Sequence, residues 1–128
     1  MSYHKQGDYD RAIADYSKAI ELDPENGLYY EQRGVCYHRK GDYDRVITDY
    51  SKAIQLDPEQ ADYYWGRGVS YHKKGDYDRA IADFDKAIQL DPDNPKYYTS
   101  RALTYRAQGK IALAEADEAK ARSLGGGS

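Results

Sequence analysis

The chain has 128 residues, a formal net charge of −3 and 32% charged residues, which describes faces of mixed sign and lacks the basic excess that nucleic-acid binding requires. No apolar run approaches the roughly 20 residues that span a bilayer, and no signal-peptide-like apolar stretch is present, so no membrane contact is expected. The single cysteine, Cys36, excludes an internal disulfide, and a cytoplasmic setting is the expectation.

In chain order, Met1–Gln6 reads as the tail of a first helix, stopped by Gly7 and followed by an Asp8 cap. A second helix is predicted from Tyr9 to Leu22, ended by Asp23-Pro24 because the residue before proline is pushed out of the α region. The next unit is complete. Leu28 to Lys40 has helical spacing, Arg39 and Lys40 suit the negative end of its dipole, and Gly41 supplies a left-handed stop. Asp42 then caps a helix whose Tyr43, Val46, Ile47, Tyr50, Ala53, Ile54 and Leu56 form one apolar stripe, ended by Asp57-Pro58.

This pattern recurs. Residues 2–26 return as 36–60 and again as 70–94, with a worn copy at 104–128, a period of 34 residues. A unit of this length cannot bury its apolar face alone and must stack on its neighbours. The units run 1–26 (short at its start), 27–60, 61–94 and 95–124, one domain over 1–124, and 125–128 is a Gly/Ser tail. Fifteen tyrosines against one Phe, one Trp and one Met mean that Tyr must fill the space between helices while keeping its hydroxyl solvated. Gly34 and Gly68 share one mid-helix position, held by Ala102 in the last copy, which predicts a close helix–helix approach there. Cys36 occupies the place of Ser2, Ser70 and Thr104, a small packing residue rather than a reactive thiol.

The two ends differ. Where earlier copies carry Ile13, Tyr16 and Ile20, the last has Glu115, Glu118 and Arg122, as a solvated end requires. At the other end the helix from Tyr9 lacks most of its covering partner. Tyr9, Ile13, Tyr16 and Ile20 therefore form a candidate self-association face, with a homo-oligomer and a frayed monomer as the two outcomes.

Tyr30, Gly34, Tyr37, Gly41-Asp42-Tyr43, Val46, Tyr50, Ala53 and Pro58 resemble the tetratricopeptide repeat signature, as do their equivalents in the third copy. Tyr replaces the usual Trp and Phe at two of these positions, and Arg33 departs from the usual apolar residue. The resemblance implies an all-α, right-handed superhelical solenoid of antiparallel helix pairs, and a scaffold binding a protein or peptide segment in a concave groove lined by first helices. The groove positions it implies are Glu31, Gln32, Val35, His38 and Arg39, then Asp62, Trp65, Val69, His72 and Lys73, then Thr99, Ser100, Leu103 and Arg106, with His4 and Lys5 in the short first unit. His4, His38 and His72 share one position, each followed by a basic residue, and Arg106 continues the row. Packed helices lie about 8–10 Å apart, too far for three of these imidazoles to reach one ion at about 2 Å. No metal or other cofactor is expected; a weakly basic wall suited to an acidic peptide segment is one reading, ordinary solvated residues the other. Trp65 beside Gly66 either lines a pocket for an apolar anchor or packs on a neighbouring helix. The resemblance to co-chaperone domains that clamp a terminal carboxylate fails at Glu31, Val35, Gly66 and Ser100. Nearly every polar residue recurs in phase, whereas catalytic groups stand alone, so no enzyme is expected.

Overall fold

The computed structural model describes residues 2–125, with side chains from residue 7 onward. The described residues form seven α-helices and no strand: α1 Ser2–Leu22, α2 Gly27–Lys40, α3 Tyr43–Leu56, α4 Ala61–Lys73, α5 Tyr77–Leu90, α6 Pro95–Ala107 and α7 Ile111–Ser123. The all-α expectation holds. They divide into two compact units, Met1–Glu59 with α1–α3 and Gln60–Ser128 with α4–α7. His4 and Lys5 lie outside the described side chains, and the tail beyond Gly125 lies outside the described residues.

Local chemistry sets the boundaries. Asn26 accepts from the Leu28 N–H at 3.0 Å to cap α2, and Asn94 does the same for Lys96 at 3.1 Å on α6. Asp42 and Asp76 cap α3 and α5 at 3.4 Å from the Arg45 and Arg79 amides. Gly41 and Gly75 take φ of 78° and 82°, a left-handed stop that costs an L side chain about 1–2 kcal/mol.

The first copy departs from the sequence expectation. Gly7-Asp8-Tyr9-Asp10 repeats the turn sequence of 41–44, yet α1 runs straight through it. The stop at Gly41 is held by its N–H on His38 O and by the Asp42 N–H on Tyr37 O, with the His38 ring edge-on to Tyr43 at 5.6 Å. The ring contact forms because α2 folds back along α3. The portion of α1 before Gly7 is little more than one turn, so folding back would bury little, whereas staying helical adds a hydrogen bond per residue. The helical cost of a glycine, about 1 kcal/mol, is the smaller term.

In the second unit α4 packs on α5 and α6 on α7, with Tyr63, Tyr64, Ala80, Phe84, Ala87, Tyr97, Tyr98, Ala102 and Ala114 buried. In the first, α1 and α3 both pack on α2, and Tyr30, Val46, Tyr50 and Ala53 form the core. The close approach expected at the glycines is present. A Cβ on Gly34 would lie 3.1 Å from Tyr50 Cε2, and one on Gly68 only 2.7 Å from Phe84 Cε1. At the same position the last repeat carries the buried Ala102, with Glu118 in the sequence place of Phe84. Tyr50 and Phe84 thus face the first helix of their own repeat, at Gly34 and Gly68. Glu118 is not a purely solvating residue: it receives the Arg106 guanidinium at 2.7 and 2.8 Å.

Candidate functional site: the α4–α6 face

An arginine and an aspartate sixteen residues apart hold each helix pair together. Arg33 reaches Asp49 through Nε at 2.9 Å and Nη2 at 2.7 Å. Arg67 reaches Asp83 at 2.9 and 2.8 Å, and Arg101 reaches Asp117 at 2.7 Å through both nitrogens. Each guanidinium lies near two tyrosine rings of its own helix, at 5.8–6.0 Å from the centroids of Tyr30 and Tyr37 for Arg33. The hydrogen bonds raise all three arginines above their ordinary range, while burial pushes the Asp83 carboxyl up and Arg67 pulls it part of the way back. The sequence reading passed over these pairs; their signal was a fixed Arg–Asp spacing of sixteen recurring in three phases. A cavity of about 310 Å³ lined by Arg33, Tyr37, Arg45, Thr48 and Asp49 opens beside the first pair. Both its guanidiniums are engaged, Arg33 with Asp49 and Arg45 with Asp42 at 3.0 Å, so it offers no uncommitted cation.

On α4 and α6 the predicted groove residues do meet. The Trp65 indole N–H donates to Ser100 Oγ at 2.9 Å, which fixes the ring, and Lys96 Nζ sits 4.3 Å from its centroid. Lys96 also pairs with Asp62 at 3.2 Å, and the buried Tyr97 hydroxyl donates to the same carboxylate at 2.5 Å. Burial, seconded by Asp62, pushes the Tyr97 phenol well up, so it stays a donor. Leu103 is 60% exposed on α6, Thr99 is exposed, and Val69 is half-buried on α4. The result is a ring held by Ser100 on one helix turn and met by the Lys96 ammonium, with the exposed Leu103 one turn along α6 from Ser100.

One turn on, Thr104 donates its hydroxyl hydrogen to Ser100 O at 2.9 Å. His72 Nδ1, 2.9 Å from that oxygen, is therefore the donor, and Nε2 is the nitrogen that titrates. Burial first, and then Lys73, lower the His72 imidazole. Lys73 is exposed, but Arg106 is turned onto Glu118, so the basic row is shorter than the sequence implied.

In the first unit Gln32 Nε2 donates to Glu31 Oε1 at 3.0 Å, Val35 and His38 are half-buried, and Arg39 is exposed on α2. Cys36 is buried, which pushes its thiol up, opposed by Arg39. Tyr9, Ile13, Tyr16 and Ile20 are all half-buried along α1. Among the described residues no three His, Cys, Asp or Glu are placed to share a metal ion, and no helix is long and apolar enough to cross a membrane.

A MamA crystal structure superposes with a TM-score of 0.87 over 91% of this chain and 68% of that one, at 27% identity. The first tetratricopeptide domain of Spaghetti (RPAP3), bound to an HSP90 peptide, superposes at 0.78 over 83% of this chain and 84% of its own, at 24% identity, a likeness of fold alone. A curated relative, stress-induced phosphoprotein 1 of Caenorhabditis elegans, is 44% identical over 34 residues, which is 27% of this chain and 11% of the relative's length. The tetratricopeptide (TPR) repeat model matches residues 2–41, 36–75 and 70–109, in the 34-residue phase, and so the chain belongs to the tetratricopeptide repeat family.

Proposed function

We propose that the chain is a protein-interaction scaffold that takes a peptide segment along the α4–α6 face, with Trp65 as its apolar anchor. The observation that carries this reading is the indole held by Ser100 against Lys96, with the exposed Leu103 one turn along α6 from Ser100. A rigid aromatic loses little entropy on binding, and such residues dominate binding energies. Lys73 favours an acidic residue flanking the anchor, whereas Lys96, paired with Asp62, and Arg106, paired with Glu118, contribute less. The peptide-bound domain among the structural relatives supports peptide binding as a use of the fold. The same reading keeps the chain a binding module rather than an enzyme and places it in the cytoplasm, where the buried Cys36 stays a thiol.

Trp65 is the sole tryptophan, so its fluorescence reports this site alone. A peptide array should yield acidic segments with an apolar anchor that change this emission on titration. Trp65→Ala should weaken binding of those segments by at least about tenfold, in line with hot-spot costs. Lys96→Glu should weaken it less, with a loss that shrinks in high salt. Array ligands whose affinity ignores both substitutions would overturn the assignment.

A further inference from the structure

Trp65 and His72 stand seven residues apart on α4, which is about 20° short of two full turns and about 10.5 Å along the axis. Both are tied to the facing α6, the indole to Ser100 at 2.9 Å and the imidazole to Thr104 at 2.9 Å. The charges at the two ends differ. Beside Trp65, Lys96 and Asp62 pair at 3.2 Å, and the Tyr97 hydroxyl donates to the same carboxylate, so this end is balanced. At the other end Lys73 is exposed, and among the described residues no partner engages it. His72 presents Nε2, since Nδ1 donates to Thr104. That nitrogen makes no bond and is not buried, whereas His38 at the same position of α2 has its Nε2 buried. The groups facing the His72 ring are Lys73 of α4, the Tyr77 ring of α5 at 5.2 Å and the Thr104 hydroxyl of α6, while Arg106 is bound to Glu118 of α7. Among the described residues, no carboxylate acts on it.

Resting on the reading that Trp65 anchors a peptide, we infer that His72 Nε2 and Lys73 receive a carboxylate of that peptide three residues from its anchor, the imidazole taking a proton from solvent as it binds. An extended segment rises about 3.3 Å per residue, so three residues span the distance from the indole to the imidazole. Two residues fall short by about 4 Å, and four overshoot by about 3 Å. A neutral imidazole offers Nε2 only as an acceptor, which repels a carboxylate; the protonated ring offers a charged donor instead. Burial and Lys73 hold the ring neutral in the free protein, and an incoming carboxylate opposes both. A ligand aspartate or glutamate stays ionised at pH 5.5 and above, because its ordinary pKa is about 4. The acid is not read next to the anchor, where Asp62 already holds the Lys96 ammonium. The site therefore selects by spacing and by pH.

The probes are rhodamine-labelled Gly/Ser peptides with one leucine and one glutamate, the glutamate one to five positions from the leucine on either side, titrated with the full chain and followed by anisotropy. Affinity is expected to peak at a spacing of three. For that peptide it should rise about fivefold from pH 7.5 to 5.5, as a carboxylate beside an imidazole makes binding take up a proton. The same peptide with glutamine in place of glutamate should not change over that range. His72→Gln keeps a donor for Thr104 and should remove the pH dependence, and Lys73→Gln should weaken the glutamate peptide at both pH values. Trp65→Ala should weaken every member of the series. A peak at another spacing, a flat pH profile, or a pH response that survives His72→Gln overturns this inference, and the anchor at Trp65 stands if Trp65→Ala still weakens binding. Binding indifferent to Trp65→Ala overturns the anchor as well. Absence of saturable binding by any member overturns the inference outright.

Discussion

Arg67 and Asp83 meet through two parallel hydrogen bonds of 2.9 and 2.8 Å, with side chains 22% and 7% exposed, between the rings of Tyr64 and Tyr71. A charge pair at the centre of a helix hairpin costs desolvation on both sides, and attraction offsets that only while both partners are present. Asp83→Ala should therefore destabilise the chain by about 3 kcal/mol, because it removes the carboxylate that both guanidinium nitrogens bind in a half-buried setting. The double variant Arg67→Met/Asp83→Leu should recover most of that loss. Urea unfolding followed by circular dichroism measures both, and equal losses for single and double variants would show that the pair is a net stabiliser.

Gly7 and Gly41 carry the same local sequence in opposite conformations, helical in α1 and left-handed with φ of 78° after α2. Gly7→Ala should stabilise α1 by up to about 1 kcal/mol and raise helical content, since nothing lies within 4 Å of the added methyl. Gly41→Ala should instead cost about 1–2 kcal/mol. Matching signs for the two substitutions would mean that Gly7 turns in solution.

Gly68 and Gly34 differ in how much room their neighbours leave. A methyl at Gly68 would meet Phe84 at 2.7 Å and the Asp83 Cβ at 3.1 Å, against 3.1 Å to Tyr50 at Gly34. Overpacking of this kind costs about 1–3 kcal/mol, whereas the helix gains about 1 kcal/mol from replacing glycine. Gly34→Ala should be close to neutral and Gly68→Ala a net loss. Denaturation midpoints of the two variants decide it.

His72 ties stability to pH. Burial and Lys73 hold its folded pKa below the ordinary 6.5, so the unfolded chain takes up the proton first as pH falls. Its contribution is complete above about pH 6.5, declines as pH drops below that value and levels off below the folded pKa. The thermal midpoint of the wild type should therefore fall relative to that of His72→Gln on going from pH 7.5 to 5.5. A constant difference would remove His72 from the linkage.

The repeat, the helix pairs and, outside the first copy, the helix ends are legible in the residues alone. These depend on local terms: the 34-residue phase, aspartate and asparagine caps, left-handed Gly41 and Gly75, and the glycines at 34 and 68 that forecast close packing. The sequence also placed Trp65, Ser100 and Leu103 on facing first helices, because family position fixes which side of a helix a residue occupies. Where charge goes is set by packing. Arg33 reads as a departure from an apolar pattern, but it binds Asp49 as Arg67 and Arg101 bind Asp83 and Asp117, and Arg106 reads as a groove cation although Glu118 holds it. The straight path through Gly7 was hidden for the same reason. The four residues that spell the turn are the same at 7–10 and 41–44, yet only the second set takes it, so the choice lies in what surrounds them.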